Sequence, residues 1–419
     1  MTRAAYILNG ARTAFMKAGS DFKAVTATDL GRAAAVEAMA RSGVEPGEVD
    51  QSVFGNIATP PDAANIGRVV ALRAGVPKEK PAHSVSRNCA SGIESIVQAA
   101  RLVQTGEADV VLAGGTESMS LIPFLYREDV KAVLVEAGMA RSAGARLAAF
   151  KKLPWSQLLN PVIGLKLGLT DPVCGLNMGE TAELLAKEGG ITREMQDAFA
   201  LRSHQRAQAA REKLAEEIVA VPLPPRYDKV AAADNGVREG QTMEALAKLK
   251  PFFDRKYGSV TAGNSSQITD GAAAVVVASE EFVAKRKLPV LARVAGWGFA
   301  GLEPERMGLG PSRSTPVALK HAGVPFSKVG LLELNEAFAA QVLANLAAFE
   351  KDPALGRVDP GILNPNGGAI ALGHPVGASA TRLVLTLLLE MRRRKVSCGV
   401  ATLCIGGGQG ASIVLEGAA

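Results

Sequence analysis

The sequence predicts an α/β protein made of two similar halves with an insertion between them, and three observations lead there. Over residues 1–118, short apolar runs alternate with amphipathic ones. The same rhythm returns after about residue 250. Segments of the two stretches also match at one constant offset: "AMARSGVEPGEVD" (38–50) resembles "ALKHAGVPFSKVG" (318–330), with Gly43, Val44 and Val49 falling on Gly323, Val324 and Val329. Alternating strand and helix patterns imply helices layered on sheets. An internal repeat implies one structural unit used twice, with chance likeness between short Ala/Gly-rich segments as the competing explanation.

Taken in order, "AAYILNGA" reads as a strand and "TDLGRAAAVEAMARSG" as a helix. "VDQSVFGN" is a strand, "ANIGRVVALRAG" a helix, and "IESIVQAARLVQTGEA" a helix that follows Cys89. "ADVVLAGG" reads as a buried strand ending in its glycines. From Ser120 to about Lys250, charges and prolines become denser, which marks an insertion over the core. Within it, "ITREMQDAFALRSHQRAQAAREKLAEEI" predicts one long amphipathic helix, with Thr192 as N-cap and Glu194 close behind. "VPLPPRYDKVAAADNG" is a loop. In "AAFKKLPWSQLLNPVIGLKLGL", Pro154 and Pro161 predict short helices broken at those positions. Its apolar residues, among them Trp155 and Leu159, either pack on the insertion or stay exposed beside Lys151, Lys152 and Lys166 as a docking surface. The division is therefore 1–119, 120–250 and 251–419, with strands around 251–285 completing the first half.

Composition narrows the classes. The 419 residues allow two or three domains. Hydrophobic residues make up 47% and aromatics 5%, the profile of a tightly packed core with small side chains at crowded crossings. A net charge of +6 is mild, and no basic run is interleaved with aromatics, which argues against nucleic acid and suits an anionic small molecule. The N-terminus lacks the apolar core of a signal peptide. The charge-free runs 360–381 and 396–415 are broken by glycines, which argues against a membrane span. Cys89, Cys174, Cys398 and Cys404, with four histidines, show no metal-ligand spacing, so no metal is expected and reduced thiols in an intracellular protein are the simplest reading.

Four places carry candidate chemistry. In "SRNCASGI", Cys89 sits just before a helical run. In "NPNGGAIALGHPVGASATRLV", Gly367, Gly368, Gly373 and Gly377 surround His374, and Pro375 presets the first helical turn. If the repeat is real, Cys89 and His374 occupy equivalent helix starts and face one central site. There the partial positive charge of a helix N-terminus favours a thiolate and the imidazole takes its proton. The alternative for Cys89 is a small buried hydrophobe, and for His374 a core histidine in a tight turn. Cys404 ends an apolar strand against Gly406-Gly407-Gly408, a turn that offers amides to an oxyanion or is merely a turn. Asn335, at a strand-to-helix junction, either polarises a carbonyl through a water or is an ordinary N-cap.

Together these segments resemble the thiolase family over nearly the whole chain. "NCASG", "NEAF", "GHPVGASA" and "CIGGGQG" occur in the family's order, and "TAGNSSQITDGAAA" resembles its coenzyme A loop. The resemblance implies two mixed-sheet halves in an αβαβα sandwich, with residues 120–250 as a loop domain covering the active site and binding coenzyme A. It implies that Cys89 attacks the 3-keto carbon of a 3-ketoacyl-CoA, that His374 accepts its proton, and that Cys404 protonates the leaving carbanion. It implies oxyanion holes from the Cys89 and Gly406 amides and from Asn335, through a water, with His374. Ligand contacts carried over are Arg238 for adenine, Ser266 and Ala262 for pantetheine, and Met178, Phe253, Phe338 and Met307 for the pocket walls. Coenzyme A and acyl-CoA are then substrates, with no permanently bound cofactor. The expected setting is a cytoplasmic homodimer or homotetramer, with a hydratase–dehydrogenase subunit and a peripheral membrane as candidate partners.

Two departures qualify this. Asn177 stands where short-chain biosynthetic members place a histidine, and Asn335 stands where subunits of fatty-acid oxidation complexes commonly have one. The alternatives are a biosynthetic acetoacetyl-CoA thiolase and a non-catalytic lipid-binding or scaffold member. A ketoacyl synthase-like enzyme would lack Cys404.

Overall fold

The computed structural model describes residues 3–418. The first half contains β1 (Ala5–Thr13), α1 (Ala27–Ser42), β2 (Gln51–Gly55), α2 (Ile66–Arg73), β3 (Ala82–Val85), α3 (Ser91–Thr105) and β4 (Val110–Ser118). The insertion carries α4 (Glu128–Met139), α5 (Ala143–Phe150), α6 (Met178–Glu188) and α7 (Arg193–Ala209) among shorter pieces. Then follow β5 (Thr269–Ser279), β6 (Ala292–Gly301), α8 (Gly310–Ala322), β7 (Leu331–Leu334), α9 (Ala339–Lys351), α10 (Val376–Arg394), β8 (Cys398–Ile405) and β9 (Gln409–Gly417).

The strands form one mixed sheet in the order β7-β8-β9-β6-β1-β5-β4-β2-β3. Outward from the centre, β1, β5, β4 and β2 correspond to β6, β9, β8 and β7. The pairing senses agree at every step: antiparallel, antiparallel, then parallel. The two half-sheets join through the pairs Tyr6 with Arg293 and Ile7 with Ala292. The repeat seen in the sequence is therefore physical. α1 ends at Gly43 with φ 67° and α8 at Gly323 with φ 68°, both left-handed caps that glycine reaches without a Cβ clash. A 3₁₀ turn follows each, at Pro46–Glu48 and Phe326–Lys328, and then the parallel strand.

Period-two burial divides the layers. Val111 and Ala113 of β4 face a core built on α3 and α10, whereas Val110 and Leu112 face α1 and α2. On the other side, Leu403 and Ile405 of β8 face α3 and α10, whereas Val400 packs with α8 and α9. The order is helices, sheet, helices, sheet, helices, with α3 and α10 as the central layer.

Two local expectations change and a third holds. β4 does not end in its glycines but runs through Gly114 and Gly115 to Ser118. A β-carbon at Gly114 would sit 2.6 Å from the Phe54 ring, and one at Gly115 2.0 Å from the Gly377 carbonyl oxygen, so these glycines permit close packing inside a strand. The long helix predicted over 191–218 divides at Ala210 (φ −94°, ψ 10°). Pairing in the sheet outcompetes the helix there. Ile218 and Val219 join β1, and buried Glu217 meets the Arg12 guanidinium at 2.7 Å. In "AAFKKLPWSQLLNPVIGLKLGL" the helices are short, as the prolines predict, covering Trp155–Leu158 and Gly164–Gly168 after α5. Both readings of that segment apply in part, since Leu153 is buried with Val130 and Val133 whereas Trp155 and Leu159 are exposed.

Candidate active site

Cys89 lies two residues before α3 and His374 two residues before α10, so the central helices present matching starts. Glycine permits their approach: a β-carbon at Gly92 would lie 2.5 Å from the Thr381 amide nitrogen. Pro375 is the N-cap (φ −67°, ψ 107°) rather than part of the first helical turn. The two loops meet the β8–β9 turn at a cavity of about 510 Å³ whose wall includes Cys89, His374, Cys404, Gly406, Ser266, Met178, Met307 and Phe338.

The electrostatics correct one expectation. Burial pushes the Cys89 thiol up to about 11, although the Gly406 N–H and its own amide favour the thiolate. The helix start therefore does not sustain a standing thiolate at neutral pH. Burial, followed by the nearby Cys89 sulfur, holds the Cys404 thiol far above its ordinary range. Burial first and the Arg382 cation second depress His374 to about 4, so its imidazole is neutral. The Ser379 hydroxyl donates to the Pro375 carbonyl at 2.9 Å, so at 2.6 Å it accepts the proton on His374 Nδ1. Nε2 is left as a buried lone pair with no partner among the described residues. The site thus holds two neutral thiols and one neutral base, with thiol deprotonation coupled to attack.

Other expected contacts are distributed differently. Asn335 follows β7 and donates its backbone N–H to the Thr402 carbonyl at 3.0 Å; its side-chain oxygen and nitrogen are both buried and without a partner among the described residues, and Asn335 is not among the residues lining the cavity. Phe253 backs the wall, its ring edge-on to Phe338 at 6.2 Å. Arg238 and Ala262 lie outside the cavity, Ala262 exposed and the Arg238 backbone N–H donating to His204 at 3.2 Å. Asn177 caps α6, accepting from the Gly179 N–H at 3.1 Å.

Sequence reasoning missed two groups. Ile122, Leu125, Leu165 and Leu169 from the insertion, with Ile57 and Met119, form an apolar annex of the cavity. Glu117 also lines it, buried and ionisable at the end of an apolar strand, which is a signal visible in "VVLAGGTES". Among the described residues no cluster of three or more His, Cys, Asp or Glu could hold a metal, and no helix is long and apolar enough to cross a membrane.

Known proteins share this fold. Residues 5–281 match the family described as "Thiolase, N-terminal domain" and residues 288–417 match "Thiolase, C-terminal domain". The chain is 40% identical to a 3-ketoacyl-CoA thiolase of Yersinia pestis (strain Pestoides F), over 98% of this chain and 96% of that protein. The structure of human mitochondrial 3-ketoacyl-CoA thiolase in complex with CoA superposes with a TM-score of 0.88 at 37% identity, covering 100% of this chain and 98% of that one. The Bacillus anthracis acetyl-CoA acetyltransferase superposes with a TM-score of 0.89 at 35% identity, covering 100% and 99%.

Proposed function

The chain belongs to the thiolase family, and from that premise we propose that it is an acyltransferase performing CoA-dependent thiolysis of 3-ketoacyl-CoA to acetyl-CoA and a shortened acyl-CoA. One observation carries this reading: Cys89, Cys404 and His374 share one largely apolar cavity. The Cys89 sulfur attacks the 3-keto carbon while its proton passes to His374. The bond between C2 and C3 then breaks, and the Cys404 thiol gives its proton to the C2 carbanion, releasing acetyl-CoA. The thiol of coenzyme A attacks the acyl-Cys89 thioester and returns its proton to the Cys404 thiolate, while imidazolium reprotonates Cys89. The reverse sequence is a Claisen condensation. Two covalent half-steps replace one difficult cleavage.

The amides of Cys89 and Gly406 suit one oxyanion. His374 and a water held by Asn335 suit the other, and the unpartnered Asn335 amide supports a bound water. Met178, Ser266, Met307 and Phe338 suit the pantetheine arm, while Arg238 and Ala262, outside the cavity, suit the nucleotide end. The apolar annex supports an acyl tail longer than that of acetoacetyl-CoA. The short-chain biosynthetic reading loses support from Asn177, and the scaffold reading from three reactive side chains on one wall. The exposed Trp155, Leu159 and Leu167 support association through the insertion, with a second copy or a hydratase–dehydrogenase subunit.

The test is loss of 3-ketothioester absorbance when the protein meets acetoacetyl-CoA and coenzyme A, repeated over a chain-length series. Mass spectrometry after acyl-CoA alone should place the acyl group on Cys89. Turnover without an adduct there would discard the mechanism.

A further inference from the structure

The proposed chemistry leaves one buried ionisable group on the cavity wall without a role. Glu117 is 1% exposed, and no cation lies within ion-pair distance of it among the described residues. Its carboxylate is instead surrounded by N–H donors. Oε1 accepts from Asn56 Nδ2 at 3.0 Å and from the Ala58 amide at 3.0 Å. Oε2 accepts from the Ile57 amide at 3.2 Å and from the Gly377 amide at 2.9 Å. Asn56 is fixed in turn, donating to the Thr116 carbonyl at 2.9 Å.

These donors come from both halves. Asn56, Ile57 and Ala58 follow β2 in the first half, whereas Gly377 lies in the first turn of α10, three residues after His374. A β-carbon at Gly377 would lie 2.7 Å from the Thr116 carbonyl oxygen and 2.9 Å from Glu117 Oε2, so the start of α10 packs closely on the end of β4 because it carries no side chain here. A carboxylate matches this site chemically because it is acceptor-only, and each oxygen serves two donors. A carboxamide does not match: whichever way it is turned, its NH₂ faces two N–H groups.

We propose that Glu117 is a positioning residue that ties the start of α10 in the second half to the loop after β2 in the first, holding His374 at working distance from Cys89. The proposal rests on the thiolase reading. Glu117 also acts on Cys89 through its charge, which opposes thiolate formation. The other titratable groups on the cavity wall are Cys404, His374 and Asp171, and the Asp171 carboxylate is turned to the Val173 and Cys174 amides. Burial pushes the Glu117 carboxyl up to about 7 against the pull of its N–H donors. Above that pH it is ionised.

The two roles have opposite signs on Cys89, which separates positioning from general damage. In Glu117→Gln at pH 8.5, kcat for acetoacetyl-CoA thiolysis should fall about 10–100-fold, the scale of an ångström-level misplacement, with KM within about threefold. Alkylation of Cys89 by iodoacetamide in the same protein should become about two- to fivefold faster, because a repelling charge is gone. Thiolysis at the wild-type rate, or alkylation slowed together with thiolysis, overturns the proposal. If Glu117→Gln does not fold, Glu117→Asp decides. It keeps the charge and loses reach, so thiolysis should slow while the alkylation profile stays put, and wild-type thiolysis would overturn the idea. A wild-type protein inactive on 3-ketoacyl-CoA would refute the thiolase reading separately, and alkylation would still judge the effect of the Glu117 charge on Cys89.

Discussion

The two halves use one backbone plan and opposite chemistry. Phe54 pairs with Gly114 in the first half and Leu334 with Thr402 in the second, which sets the halves in register. On that register Gly55 corresponds to Asn335, and Thr116 to Cys404. The starts of α3 and α10 carry Cys89 and His374. Duplication supplied two helix starts that meet at the centre, and function came from making them unlike. Two cysteines there would lack a base, and two histidines a nucleophile. The paired helices are the symmetric part of the molecule, and the site is where symmetry is broken.

The sharpest way to break this comparison is to remove one side of it. Cys89→Ala should reduce acyl transfer to background with the fold retained, read as loss of turnover and of the acyl adduct alongside an unchanged circular dichroism spectrum. An adduct on another cysteine would reassign the nucleophile. Next comes Cys404→Ser, which moves this position toward the hydroxyl of its counterpart Thr116. Cys89 should still be acylated, while complete thiolysis falls by about 10²–10⁴, the usual contribution of a positioned acid or base. Equal loss of acylation would merge the two roles.

A third measurement sharpens the contrast in proton affinity. With the Cys89 thiol held near 11, its alkylation should climb about tenfold per pH unit from 7 to 10. With His374 held near 4, acylation by acyl-CoA should persist down to about pH 5 and fail as the imidazole protonates below that. Alkylation that levels off near pH 7 would instead indicate a standing thiolate. The smallest effect belongs to the annex, whose wall comes largely from the insertion, which has no counterpart in the second half. Gly168 lines the cavity, and a β-carbon there meets no atom within 4 Å. Gly168→Leu should lower kcat/KM for the longest accepted 3-ketoacyl chains about tenfold and leave acetoacetyl-CoA within about threefold. Equal loss across the series would deny the annex a role in chain length.

Much of this was legible in the sequence because it is local. The offset joining Gly43 to Gly323 marks a cap whose φ requires glycine, and the runs after Cys89 and before Cys404 have the periods of a helix and a strand. What was not legible is non-local. The glycines of β4 look like a turn until Phe54 and Gly377 are seen against them. The helix after Thr192 has no breaker at Ala210, and after a further helical turn to Ala215 the chain leaves helix so that Ile218 and Val219 can pair with β1. Glu117 looked like an ordinary strand end, since its donors lie some sixty residues before it and 260 after. Arg238 and Ala262 were placed by resemblance alone, and the local pattern says nothing about their distance from the sulfur.

The central strand β5 has a consequence for how the chain is made. It lies between β1 and β4, is buried along its whole length, and is separated from β4 in sequence by residues 119–268. A ribosome that has finished β4 has therefore produced two strands that cannot yet pair with their common neighbour. Their backbone edges and the run "VVLAGG" stay open until residue 279 of 419 has emerged. Unpaired edges of this kind are where nascent chains aggregate or recruit chaperones. The half that bears Cys89 begins first and closes late, so its completion is timed by the synthesis of the insertion between β4 and β5.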